Sequence, residues 1–208
     1  MNEALEIEVK YMLIDIPALR SGIGKAGWIS LGRHFEKNIR FEDRDHSLFE
    51  KKQLLRLRQD QQVTLTFKSK PMTDDPRFKI LRELEVTVSD FETMQVILES
   101  LGFHEEQIYE KYRETFKAGD AVICVDEMPY GDFIEIEGPP ETICSISEYL
   151  GFSPSRAITA NYLEIFDHIR NKENLDFTDI TFENFKALQR DFSSHIRMFE
   201  VANRALRP

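Results

Sequence analysis

Apolar and polar positions alternate along much of the chain, the period of a strand whose two faces meet different surroundings. In the opening string EIEVKY, Ile7, Val9 and Tyr11 fall on one face and Glu6, Glu8 and Lys10 on the other. Alone, this is what any amphipathic strand with a solvated face looks like. The pattern then returns. Phe35 to Phe41 is a short extended piece, and Leu54 to Arg58 sets Arg56 and Arg58 against Leu55 and Leu57. Gln62 to Lys70 sets Thr64, Thr66, Lys68 and Lys70 against Val63, Leu65 and Phe67; the DQQ before it is a turn, so the two runs form a hairpin. After a loop over Pro71 to Pro76, ILRELEVTV carries Glu83 and Glu85 on one side and Leu84, Val86 and Val88 on the other. Gln107 to Ala118 carries Tyr109, Lys111, Arg113 and Thr115 on one face. Gly119-Asp120 turns the chain into Ala121 to Val125, which Asp126 closes. Past a turn at Pro129 to Asp132, FIEIEG places Glu135 and Glu137 on one face with Phe133.

Spacings of three and four, the mark of helices with one buried stripe, appear between and after these strands. Asp15 to Ala26 is a short helix on Ile16, Leu19 and Ile23, weakened by Gly22, Gly24 and Gly27. Ser89 caps a helix from Asp90 to Leu101, and Gly102 ends it. Further helices are predicted near Glu141 to Leu150 and Thr159 to Arg170, and residues 171 to 180 read as a polar linker. From Thr181, Phe182, Phe185, Leu188, Phe192, Ile196 and Phe199 predict one amphipathic helix to about Arg204. Residues 1 to 170 thus form the main domain, and residues 171 to 208 a linker and a helix packing on it. A homodimer contact is the alternative role for that helix.

Charge changes the picture. The polar faces carry like charges in pairs two residues apart: Glu6/Glu8 followed by Lys10, then Arg56/Arg58, Lys68/Lys70, Glu83/Glu85, Lys111/Arg113 and Glu135/Glu137. A face that only has to be soluble gains nothing from such segregation, and the paired charges repel unless something opposite lies between them. The natural occupants are a polyanion against the Arg/Lys strands and divalent cations against the Glu strands. Arg offers donors matched to phosphate oxygens, Lys a compact charge, and paired carboxylates suit hard ions such as Mg²⁺ or Mn²⁺. Many antiparallel strands with an apolar back and this charged front predict an α+β fold built on a closed or nearly closed barrel, charged inside, with helices outside.

Composition narrows the function classes. At 208 residues, with 41% apolar and 31% charged residues, the chain is long enough for one well-cored globular domain. Its formal net charge of -10 argues against broad nucleic-acid binding, so basic residues that matter must be gathered locally. Cys124 and Cys144 are too few for a disulfide framework and read as small core residues in a reducing compartment. No apolar run approaches a membrane span and the start MNEALEIE lacks signal-peptide features, so a cytoplasmic location without a membrane partner is expected. The five histidines, His34, His46, His104, His168 and His195, are scattered and read as surface residues. None of the nine glycines forms a GxxxxGK[ST] string, and no serine or cysteine nucleophile motif is present.

The ordered set of motifs resembles the CYTH superfamily, the triphosphate tunnel proteins that include class IV adenylyl cyclases, thiamine triphosphatases and inorganic triphosphatases. The likeness runs from EIEVK through LRLR at Leu55 to Arg58, TFKSK at Thr66 to Lys70 and RELEV at Arg82 to Val86. It continues through EKYRETF at Glu110 to Phe116, VDE at Val125 to Glu127 and GDFIEIEG at Gly131 to Gly138, ending near NYLEIF at Asn161 to Phe166. FEKNIRFED and the spacing from EKYRETF to EIEG are nearest to the class IV adenylyl cyclase branch. The resemblance implies an eight-stranded antiparallel β-barrel, the triphosphate tunnel, with flanking helices, to which this chain adds a C-terminal helix. By position it implies metal-site carboxylates at Glu6, Glu8, Glu135 and Glu137, joined by Glu85 and Asp126. It further implies a phosphate cradle of Lys10, Arg56, Arg58, Lys68, Lys111 and Arg113, with Lys70 at its margin. One position departs: the family often has a basic residue two before the first Glu of the middle acidic strand, where this chain has Leu81. Lys79, or Arg82 turned inward by a β-bulge, could take its place.

The function expected is Mg²⁺- or Mn²⁺-dependent hydrolysis of a small-molecule triphosphate: inorganic, thiamine or nucleoside. Lys10 is the candidate to assist the nucleophile or leaving group and Arg56 to stabilise transferring oxygens, which makes these two the candidate catalytic residues. A class IV adenylyl cyclase, forming cyclic AMP and pyrophosphate from ATP, would use the same tunnel. A non-catalytic sensor of nucleotide or polyphosphate, its C-terminal helix coupled to a partner, is the third reading.

Overall fold

The computed structural model describes residues 5–72, 75–188 and 190–206. In chain order its elements are β1 (Leu5–Leu13), α1 (Ile16–Ala26), β2 (Ile29–Asp43), α2 (Ser47–Glu50), β3 (Leu54–Gln59), β4 (Val63–Ser69), β5 (Lys79–Val88) and α3 (Phe91–Ser100). Then come β6 (Phe103–Ala118), β7 (Ala121–Met128), β8 (Gly131–Glu137), α4 (Pro140–Tyr149), α5 (Tyr162–Glu173), α6 (Phe182–Phe185) and α7 (Ser193–Arg197), with 3-10 turns at Pro154–Arg156 and Val201–Leu206. The alternating segments make eight antiparallel strands that close into a barrel in the order β1-β5-β4-β3-β2-β6-β7-β8. A closed sheet has two unlike surfaces, and the period of two sends the charged pairs to the inner one, except that Lys70 of the Lys68/Lys70 pair falls past the end of its strand.

The apolar outer surface is covered in sections. Helices α1 and α4 bury Leu19, Ile23, Ile143 and Ile146 against Val9, Ile123, Ile134 and Ile136. Helix α3 buries Phe91 and Leu98 against Ile39, Phe41, Leu55 and Leu57. The third cluster lies at one end of the barrel. There Met12, Tyr109 and Phe133 meet Tyr162, Phe166 and Ile169 of α5, backed by Ile180, Phe185, Phe192 and Ile196. Strand stagger leaves backbone groups unpaired at this end, and later segments supply their partners. The Ile158 N–H donates to the Lys10 carbonyl at 2.8 Å, and the Val201 N–H to the Ala157 carbonyl at 2.8 Å. The Ile180 N–H donates to the Ile108 carbonyl at 2.8 Å, and the Glu110 N–H to the Ile180 carbonyl at 2.9 Å. An unpaired buried amide would be costly, so residues 157 to 201 finish the barrel as well as plug it.

Several expectations change. Strand β2 starts six residues before Phe35, because Gly32 (φ 102°) sits at a register shift that lets the strand kink and continue. The helix expected from Thr181 is three short helical pieces instead. Asp191 accepts bonds from the Ser193 backbone and hydroxyl at 2.8 and 2.9 Å, local bonding that competes with a continuous helix, and the pairing of Val201 with Ala157 draws the chain away again. The polar linker, 171 to 180, ends in the bridge to β6. Helix α3 is capped by Asp90, not Ser89, its carboxylate accepting from the Thr93 N–H at 2.8 Å. Cys124 is buried but Cys144 is exposed, so only the first is an interior residue. The loop over Pro71 to Pro76 falls partly on residues 73 and 74, outside the described residues. Among the described residues no helix is long and apolar enough to cross a membrane.

Candidate active site

Strand register builds the interior in rows, because residues directly opposite on neighbouring antiparallel strands share a face. Lys10 faces Glu135, and Glu8 faces both Glu137 and Lys79. Arg113 faces Asp126, and Lys111 faces Glu36. Asn38, Arg58 and Thr64 form one row across β2, β3 and β4, and Arg56, Thr66 and Glu85 the next. Burial runs along the tunnel. Lys10 (1% exposed), Lys111 (3%) and Asp126 (0%) lie at the plugged end, whereas Glu85 and Glu137 reach the exposed rim.

Three clusters follow. The deepest is centred on Asp126. One carboxylate oxygen accepts from Arg113 Nε at 2.7 Å, and the other from Arg113 Nη2 at 2.6 Å, Lys111 Nζ at 2.9 Å and the Tyr162 hydroxyl at 2.8 Å. Glu135 pairs with Arg113 at 2.5 Å and with Lys10 at 3.2 Å. Burial works against the charged form of Glu135, yet Lys10, Arg113 and Lys111 hold its carboxyl well below the usual range. For Lys10 burial wins: despite Glu135 and Glu8, the ammonium gives up its proton more readily than an ordinary lysine.

The second cluster lines β2, β3 and β4. Arg56 donates to Thr66 at 3.0 Å, and Thr66 donates to Glu85 at 2.8 Å. Arg58 lies 3.5 Å from Glu85 and 3.4 Å from Asp60. The Nε atoms of both arginines are buried without a hydrogen-bond partner, as are Thr64 Oγ1, Asn38 Oδ1 and Glu36 Oε2. Arg58 Nε and Glu36 Oε2 still lie in ion pairs with Asp60 and Lys111, but a buried polar atom with no partner costs about 1 to 3 kcal/mol, so the others suit this wall to holding a polar ligand rather than to stability.

The third cluster is the rim. Lys68 bridges Glu6 at 2.5 Å and Glu83 at 2.9 Å, and Lys79 pairs with Glu8 at 2.6 Å. Lys79 thus occupies the basic position missing at Leu81, while Arg82 pairs in register with Leu5 and Ser69 on the other face. Among the described residues Glu137 makes no such ion pair, though Lys68 lies near enough to counter its shift in part. Partial burial and the charges of Glu6 and Glu8 push its carboxyl up to about 7.

The resemblance-implied residues therefore converge on one tunnel but separate by depth. Glu6, Glu8 and Glu137 stand at the rim, which Glu85 also reaches while pairing with Arg56 and Arg58, and Glu135 and Asp126 lie at the floor. Lys70 lies beyond the end of β4, exposed. Glu36, Asn38, Thr64, Thr66, Tyr109 and Tyr162 were not singled out for a role from the sequence. For Glu36 and Asn38 a signal was there: in FEKNIRF the apolar Phe35, Ile39 and Phe41 share one face, which leaves Glu36, Asn38 and Arg40 on the other.

Glu36 is a hub of this interior. It lies 3.5 Å from Lys111, 3.9 Å from Arg113 and 4.0 Å from Arg58. Burial would raise its pKa, but Lys111, Arg113, Arg58 and Arg56 overcome that and hold it at about 2, below an ordinary 4.5. A depressed carboxyl contributes stability above the unfolded-state pKa and loses it as pH falls toward the folded-state value. Glu36→Gln is thus expected to be less stable than wild type by about 3 kcal/mol near neutral pH. The gap should close between pH 4.5 and about 2. Paired thermal melts across that range check it; a constant gap would contradict the assignment.

Among the described residues no three His, Cys, Asp or Glu side chains are drawn together as a ready-made metal group. The donor chemistry at the rim nonetheless suits a hard cation: Glu6, Glu8, Glu83 and Glu137 share it, and burial, with the charges of Glu6 and Glu8 beside it, raises the Glu137 pKa. A separate cleft of about 500 Å³ lies outside the barrel between α1 and α4, lined by Leu13, Leu19, Tyr149 and Phe152. Its lining gathers none of the paired charges that mark the tunnel.

The family model of the CYTH domain matches residues 4–143. A Methanocaldococcus jannaschii protein bearing the name "putative adenylate cyclase" is 28% identical over 173 residues, spanning 77% of this chain and 98% of that one. Among solved structures, a Vibrio parahaemolyticus protein of the same name superposes with a TM-score of 0.70 at 19% identity, covering 78% of this chain and 98% of its own. A Hippeastrum protein, described as a "putative adenylyl cyclase" that reveals a dominant triphosphatase activity, superposes at 0.55 and 16% identity, covering 78% and 95%. At these identities the two structural likenesses speak for the fold.

Proposed function

Since the chain belongs to the CYTH domain family, we propose that its tunnel binds a small-molecule triphosphate and hydrolyses it with the help of Mg²⁺ or Mn²⁺. The observation that carries this reading is the layering of the interior, with cations and the carboxylates that balance them buried together at the floor and walls, and further carboxylates gathered at the rim with Lys68 and Lys79. The cations are already balanced by carboxylates, so a triphosphate entering alone would leave the barrel strongly negative. Glu6, Glu8 and Glu137 would hold divalent cations, which would offset that charge. A metal ion there supplies Lewis acidity at the phosphate oxygens.

The chain's own residues do the rest. Arg56 and Arg58 are the guanidinium groups on this wall that can donate to non-bridging oxygens, and the Arg56 Nε has no hydrogen-bond partner. Lys111 and Arg113, fixed by Asp126 and Glu36, present fixed positive charge where charge moves in the transition state. Lys10, desolvated and with a lowered pKa, is placed to move a proton at Nζ. Glu85, Glu135 and Asp126, which the resemblance groups with the metal carboxylates, are engaged by interior cations and orient the cradle.

The test is a panel of tripolyphosphate, thiamine triphosphate and ATP, each with Mg²⁺ or Mn²⁺. Orthophosphate release is the expected result. The name of the M. jannaschii relative supports a second reading, cyclisation of ATP, which cyclic AMP plus pyrophosphate would support; tight binding without turnover leaves a sensor. Glu137→Gln is expected to lower metal-dependent turnover by about 100-fold while folding normally. Full activity in that variant would remove Glu137 from the metal site.

A further inference from the structure

Lys10 is held by a part of the chain that lies outside the family match. Its ammonium donates to the Ala160 carbonyl at 3.1 Å, pairs with Glu135 at 3.2 Å, and sits 3.7 Å from the centre of the Tyr162 ring. Ala160 and Tyr162 follow residue 143, where the family match ends. Their placement is fixed from several sides. Asn161 and Glu164 form a reciprocal capping box that starts α5 at Tyr162. The Tyr130 hydroxyl donates to the Tyr162 carbonyl at 2.9 Å, and the Phe133 ring packs edge-on against Tyr162 at 5.1 Å. Just before them, Ile158 is bonded to the Lys10 backbone and bridged to Glu200.

We infer that Tyr162 is the positioning residue for Lys10: its ring and the Ala160 carbonyl clamp the ammonium at the tunnel floor, aimed toward the phosphates. A lysine side chain is long and flexible, and one that acts on a phosphate oxygen must have its Nζ confined. The carbonyl and the aromatic face confine it without adding a full negative charge that would compete with the phosphate. The inference rests on the triphosphate reading for its catalytic consequence, but the clamp itself is independent of it.

The experiment compares wild type, Tyr162→Phe and Tyr162→Leu by two readouts. The first is NMR of the Lys10 side-chain methylenes in lysine-labelled protein without substrate, assigned by their loss in Lys10→Met. A methylene above an aromatic ring is shifted upfield, so the shift is expected in wild type and Tyr162→Phe and absent in Tyr162→Leu. The second is steady-state kinetics: in Tyr162→Leu kcat should fall on the order of 10- to 100-fold with KM little changed, and Tyr162→Phe should recover most of it.

A wild-type spectrum without the shift overturns the clamp. So does a Tyr162→Leu variant that loses the shift but keeps wild-type kcat, or a Tyr162→Phe variant as impaired as Tyr162→Leu, which would assign the effect to the hydroxyl on Asp126. If Tyr162→Leu does not fold, the Phe variant still decides, because it must keep both shift and turnover. If wild type turns over no triphosphate, the functional reading fails, while the shift still reports whether Tyr162 holds Lys10.

Discussion

Replacing Asp126 by alanine is expected to lower the melting temperature by about 6 to 20 °C, the largest effect on stability of any single change in the tunnel. Asp126 is fully buried and accepts four hydrogen bonds, two from Arg113, one from Lys111 and one from Tyr162. Removing it leaves two buried cations with less compensation, and breaking a buried pair from one side costs about 3 to 5 kcal/mol. For a chain of this size each kcal/mol is worth about 2 to 4 °C. Calorimetry without ligand gives the number. A shift below about 2 °C would mean that water, not Asp126, satisfies Lys111 and Arg113. Part of the loss should return with tripolyphosphate, because phosphate oxygens can replace a missing anion only if they reach this floor.

Lys10→Met is expected to do the opposite: turnover falls by about 100-fold or more while the fold survives. Methionine follows the lysine stem to the ε position, one atom short of Nζ, and carries no charge. Glu135, the acid it abandons, keeps Arg113 at 2.5 Å, so no buried carboxylate is stranded. The variant therefore isolates the ammonium at Nζ from the architecture around it. Kinetics at saturating substrate, with a melting curve as control, provide the check. Turnover within threefold of wild type, roughly 0.7 kcal/mol of barrier, would place the chemistry elsewhere.

The barrel was legible in the sequence because its signal is local. Period-two alternation in EIEVKY, LLRLR and FIEIEG is a property of consecutive residues, and each became a strand with the expected inward face. Charge segregation pointed inward because only an enclosed surface gathers Glu8, Lys10 and Glu135 around one volume. What escaped was set by distant contacts. Helical spacing from Thr181 to Phe199 is real, but Asp191 bonds locally and Val201 pairs with Ala157, 44 positions away, so the helix breaks. The depth of Asp126 was hidden too: its nearest neighbour in the tunnel outside the sheet is Tyr162, set there by α5 and by a floor that no strand pattern contains. Leu81 was a local puzzle with a local answer, since Lys79 stands two positions earlier on the same face and meets Glu8.

The most direct measurement is a crystal structure grown with tripolyphosphate and Mn²⁺, with anomalous scattering locating the metal. The account predicts a phosphate chain inside the barrel, contacted by Lys10, Arg56, Arg58, Lys111 and Arg113, with a manganese peak at Glu6, Glu8 and Glu137. A tunnel with its Lys68 to Glu6 and Lys79 to Glu8 pairs intact, and phosphate bound only on the outer surface, would contradict it.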